Sequence, residues 1–95
     1  QNPPYTYLIT ITLFGNNSET LNKNARLLFE RLQHDSIKCL GPSDMGKVNY
    51  TYKNRIILKG KDLNEMRQFL KKTLDETSSI HKWDCFIDVN PMGIL

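Results

Sequence analysis

The sequence predicts an α+β sandwich: a four-stranded, mostly antiparallel sheet with two helices on one face, in the order β-α-β-β-α-β. Three observations carry this expectation. Tyr5 to Phe14 and Val48 to Leu58 alternate apolar and polar residues with the period of two that a half-buried strand requires. Leu21 to Leu32 and Leu63 to Leu74 repeat apolar residues at the spacing of an amphipathic helix. The chain has 95 residues, enough for one core and too few for two, so residues 1–95 are read as a single domain.

In the first strand Tyr5, Tyr7, Ile9, Ile11 and Leu13 share one face, and Thr6, Thr10 and Thr12 dominate the other. Gly15-Asn16-Asn17-Ser18 then supplies a turn and an N-cap. Leu21, Ala25, Leu28 and Leu32 follow as the buried stripe of a helix, with Lys23, Arg26, Glu30 and Arg31 outward. His34-Asp35-Ser36 breaks that pattern, Ile37 to Leu40 reads as a short strand, and Gly41-Pro42-Ser43-Asp44 reads as a turn. Val48 to Leu58 is expected to be the longest strand. Asp62 with Glu65 three residues on resembles a capping box. It opens a second helix striped by Leu63, Met66, Leu70 and Leu74, widened by Phe69, and dissolving near Thr77-Ser78-Ser79. Trp83, Cys85, Ile87 and Val89 alternate with Asp84, Phe86, Asp88 and Asn90 in a last strand that Pro91 is expected to end. Right-handed crossovers then give the split β-α-β, ferredoxin-like arrangement, whose second sheet face is left for water or a partner.

Composition narrows the function classes. With 39% hydrophobic and 24% charged residues, collagenous and intrinsically disordered classes are excluded. No apolar run approaches the roughly 18 residues of a membrane helix, so no membrane partner is expected. Cys39 and Cys85 each sit in an apolar run and read as reduced, packed thiols. Catalytic signals are weak: His34 and His81 lie beside loops without ligands at metal spacing, and no phosphate-cradling glycine motif is present. No catalytic residue, metal site or cofactor is expected in this domain. An acylphosphatase-like enzyme would need an Arg in the loop after the first strand, and Gly15-Asn16-Asn17-Ser18 has none.

Charge is more informative. The segment from Lys47 to Lys61 holds Lys47, Lys53, Arg55, Lys59 and Lys61 and no acid, and so accounts for the whole +3 net charge. All five have odd positions. On one regular strand they would share a face, with Val48, Tyr50, Tyr52, Ile56 and Leu58 on the other. Such a row suits phosphate or an acidic peptide, although a merely solvated face carries the same residue types. Tyr50 and Tyr52 are candidate stacking residues if a bulge turns them over, and otherwise core residues. Phe86 has the parity of the exposed face of the last strand and is a further candidate for stacking, and Asp88 on that face is a candidate partner that orients an Arg across the sheet.

Several segments together resemble one family. Asn2-Pro3-Pro4-Tyr5, Leu40-Gly41-Pro42, Tyr52-Lys53-Asn54-Arg55-Ile56-Ile57-Leu58-Lys59 and the closing Phe86-Ile87-Asp88-Val89-Asn90-Pro91 are similar to the carboxy-terminal domain of primosomal protein N′. Members carry an Arg-aromatic-Arg-aromatic-Gln run where this chain has Thr51-Tyr52-Lys53-Asn54-Arg55, which keeps the charge and lacks the second aromatic. The resemblance, with the opening at Gln1, implies a piece excised from a larger cytoplasmic protein. The parent that the resemblance implies is an ATP-dependent 3′ to 5′ DNA helicase, expected to use ATP, magnesium and zinc, that restarts stalled replication forks. For this domain it implies binding of single-stranded or branched DNA, of the acidic tail of single-stranded-DNA-binding protein, and of other parent domains. The alternative is a small-molecule-sensing or other interaction module of the same fold.

Overall fold

The computed structural model describes residues 6–78 and 84–93. The elements are β1 (Thr6–Gly15), α1 (Ser18–Arg31), β2 (Lys38–Val48), β3 (Thr51–Gly60), α2 (Leu63–Thr77) and β4 (Cys85–Gly93). The strands form one sheet in the order β2-β3-β1-β4 with every neighbouring pair antiparallel, which is the α+β ferredoxin-like arrangement.

Local chemistry sets the helix starts. Asn17 accepts the Thr20 backbone N–H at 3.0 Å, and Asp62 accepts that of Glu65 at 3.1 Å. Each cap satisfies a donor that the first helical turn cannot, worth about 1 kcal/mol. Leu21, Ala25 and Leu28 of α1 and Met66 and Leu70 of α2 are buried against Ile9, Ile11 and Leu13 of β1 and Ile56 and Leu58 of β3. The helices therefore cover the face of odd residues on β1 and of even residues on β3, as the alternation predicts. Truncating a fully buried member such as Leu28 to Ala would cost about 2–5 kcal/mol.

Three expectations are corrected. First, Val48 to Leu58 is not one strand. Asn49 and Tyr50 both have positive φ, 52° and 68°, and form a two-residue turn between β2 and β3. Left-handed conformation at both positions matches the right-handed twist of the flanking strands. Val48 and Tyr50, expected in the core, are 47% and 88% exposed. Second, β2 runs through the expected turn at Gly41-Pro42-Ser43-Asp44, and its register shifts between Leu40 and Ser43 and between Asp44 and Gly46. Each shift inserts a residue opposite β3, a bulge that lets a glycine and proline segment remain paired. Third, β4 continues through Pro91, which pairs with Tyr7 next to a register shift. An edge strand tolerates a residue without an N–H there.

Asn54 is the polar exception on the covered face of β3. It is 2% exposed and donates through Nδ2 to Asn22 Oδ1 at 2.8 Å. Asn22 in turn donates to Asp44 Oδ2 at 3.1 Å, and Asp44 Oδ1 accepts the Gly46 N–H at 2.8 Å. This chain ties α1 to the second bulge of β2. The two acceptor contacts lower the Asp44 pKa below its ordinary value, the Gly46 hydrogen bond first and the Asn22 bond second.

Candidate nucleic-acid interface

Residues paired across a sheet point to the same side, so the register shows which side chains share the open face. Lys53 stands opposite Phe14, Arg55 opposite Thr12, Ile57 opposite Thr10 and Lys59 opposite Leu8. On the far side of β1, Phe86 stands opposite Thr12 and Asp88 opposite Thr10. Lys53, Arg55 and Lys59 thus form a column along β3, with Lys38 of β2 paired to Lys59. Phe86 is 60% exposed. Phe14 is half-buried, and the Lys53 ammonium lies 5.6 Å from its ring centroid, a cation–π contact.

Three of the five cations singled out in the sequence, Lys53, Arg55 and Lys59, are brought together on this face. Lys47 is not. It belongs to β2, pairs with Tyr52 and so lies on the opposite face, with its ammonium 5.4 Å from the Tyr52 ring centroid and 5.8 Å from that of Tyr50. The expectation of five cations on one strand face fails because the turn at Asn49 and Tyr50 reverses the chain between Lys47 and Lys53. Lys61 follows the end of β3, exposed in the link to α2. Tyr52 packs against the core rather than standing beside Phe86. Asp88 accepts a hydrogen bond from Asn90 at 2.9 Å, and β1 separates it from Arg55, a gap of two strand spacings or about 10 Å.

Sequence reading passed over Phe14. Its even parity on β1 was the available signal, and only the register shows that it adjoins Lys53. His34, read as an exposed loop residue, is partly buried and meets the Phe69 ring edge-on at 4.9 Å. His81 and Trp83 lie outside the described residues. Cys39 and Cys85 are free thiols on the two opposite edge strands, with β3 and β1 between them, so they do not face one another. Burial pushes the Cys39 pKa up to about 11, and it also raises that of Cys85, with a smaller contribution from the Asp84 charge.

Among the described residues no three His, Cys, Asp or Glu come together to hold a metal ion. No described helix is long and apolar enough to cross a membrane. The arrangement defines a class: a ferredoxin-like domain whose helices cover one sheet face and whose other face presents a cation column beside two phenylalanines. Residues 1–92 match the family described as primosomal protein N C-terminal domain, and the chain belongs to that family. Its biological setting is accordingly the primosome and the restart of replication. In structure the chain is similar to a de novo designed protein, Foldit4, at a TM-score of 0.67 and 12% identity over 95% of this chain and 99% of that one. That likeness concerns the fold alone. No curated protein matches the chain at a significant level.

Proposed function

We propose that this domain is a non-catalytic binding module of a replication-restart helicase, which holds DNA by its phosphates and contributes to a site for the acidic tail of single-stranded-DNA-binding protein. The observation that supports it most is the column of Lys53, Arg55 and Lys59 on the sheet face opposite the one that α1 and α2 cover. Like charges held in a row by the β3 backbone cost repulsion when free and release counterions when a polyanion replaces the solvent. A phosphate chain and an acidic peptide both meet that requirement. ATP hydrolysis and its metal ions belong, on this reading, to other parts of the parent chain.

Binding of single-stranded DNA, measured by anisotropy across a salt series, tests the reading. Three phosphate contacts should give a log-log slope of about −2, at roughly −0.7 per contact. The double reversal Lys53→Glu with Arg55→Glu should flatten it. Reversing Lys71 and Lys72, exposed on the helix side of the sheet, makes the same change in net charge and should leave the slope intact. Equal loss from both pairs would reduce the reading to net charge. For the protein partner, an acidic peptide with an apolar end should shift amide resonances of β3. Shifts confined to Tyr7 and Ile11 on the covered face would refute that part.

A further inference from the structure

The open face carries more than charge. Along β3 it is cationic, while one strand spacing away stands Phe14 on β1 and two spacings away stands Phe86 on β4. Phe14 and Phe86 occupy diagonal positions of adjacent strands, a separation of about 7–8 Å that aromatic side chains bridge. Exposure of 60% at Phe86 leaves a large apolar ring in water, with no ring or cation contact to it among the described residues. Asp88, on the same face of β4, disfavours a phosphate on that side. Charge complementarity therefore assigns the phosphates to β3 and an uncharged, flat group to the phenylalanines.

We propose that the open face is a stacking platform for single-stranded DNA, in which bases lie on Phe86 and Phe14 while Lys53, Arg55 and Lys59 hold the phosphates. The inference rests on the phosphate-binding reading above and adds what is recognised beside the phosphate. Lys53 has two roles in it. In the free chain its ammonium covers the Phe14 ring. When it turns to a phosphate it uncovers that ring, so phosphate binding and stacking at Phe14 are coupled. Phe86, uncovered throughout, contributes the larger share. A base has a π-face whatever its identity, so the platform tolerates any sequence and discriminates against duplexes, whose bases are already stacked.

Two oligomers of equal charge separate stacking from phosphate contact: an oligothymidylate of about ten nucleotides, and an abasic deoxyribose-phosphate chain of the same length. The full 95-residue chain should bind the first more tightly. Phe86→Leu, which keeps an apolar side chain and removes the ring, should weaken oligothymidylate binding about 5- to 150-fold, the range for one lost base–aromatic stack. It should leave the salt slope and abasic binding unchanged. Phe86→Tyr should retain wild-type affinity, and Phe14→Leu should show a smaller loss. Equal affinity for the two oligomers, or loss with Phe86→Leu of both alike, would overturn the platform while leaving the phosphate reading standing. Failure of both oligomers to bind the wild-type chain would remove the platform and the phosphate reading together. Shifts of the Phe14 and Phe86 ring resonances by an acidic peptide and not by oligothymidylate would reassign the face to a protein.

Discussion

Lys47 and Lys53 have the same parity in the sequence and opposite faces in the fold, and that contrast yields a direct test. Replace each separately by Glu, so that net charge changes identically. Lys53 stands in the β3 column opposite Phe14. Losing one phosphate contact there removes about 0.7 from the salt slope and, at about 0.1 M salt, roughly fivefold in affinity, with further loss from the repulsion of the new carboxylate. Lys47 pairs with Tyr52 on the helix side, held over the Tyr52 and Tyr50 rings. A phosphate on the open face lies more than about 12 Å from it through the sheet, given the reach of side chains on either side. At that distance two unit charges in water are worth about 0.35 kcal/mol unscreened. Screening over a Debye length of about 10 Å reduces this to roughly 0.1 kcal/mol, so a reversal costs about 0.2 kcal/mol, or less than about 1.5-fold. Anisotropy titration of labelled single-stranded DNA at several salt concentrations resolves these figures easily. Equal losses from Lys47→Glu and Lys53→Glu would refute the assignment of faces and restore the single-strand reading of residues 47–61.

Further outcomes follow from the hairpin and its surroundings. Gly41 has φ of +107°, and a Cβ there would lie 2.8 Å from the Arg55 carbonyl oxygen, so Gly41→Ala should destabilise by about 2–3 kcal/mol and lower Tm by roughly 10 °C or more in a thermal melt. Tyr50→Gly relieves a left-handed non-glycine residue whose side chain is almost wholly in water, and should raise stability by about 0.5–1 kcal/mol in denaturant unfolding. Asp44 has its pKa lowered in the folded chain, so its stabilising contribution is present above the ordinary value of about 3.9 and is lost as pH falls through the lower folded value. The Gly46 amide resonance should therefore titrate with a midpoint below that value, and a midpoint at or above it would refute the hydrogen-bonded geometry. Cys39, with its pKa near 11, should react with a thiol reagent at pH 8 much more slowly than a small free thiol, and rapid labelling of the native chain would contradict its burial.

How much was legible in the sequence follows from the range of each interaction. The helices were legible because a stripe such as Leu21, Ala25, Leu28 and a cap such as Asp62 with Glu65 are written within a few residues of one another. The faces of β1 and of the second half of the long basic segment were legible for the same reason: alternation about Ile9 and Ile11, or Ile56 and Leu58, needs only one sheet face to be covered. The face of Phe86 could likewise be read from its neighbours Cys85, Ile87 and Val89. Tertiary structure decided what depends on partners distant in the chain. Asn49-Tyr50 lacks the glycine that marks a tight hairpin, so alternation runs straight across the turn; there the left-handed pair is imposed by β2 lying against β3. The bulges of β2 arise in the same pairing, and they keep Gly41-Pro42 within a strand where composition alone reads a turn. Strand order then decides the site. By placing β1 between β3 and β4, it sets Phe14 beside Lys53, brings Phe86 into the same face, and holds Asp88 two strands from Arg55, relations that no local pattern encodes because each joins residues dozens of positions apart.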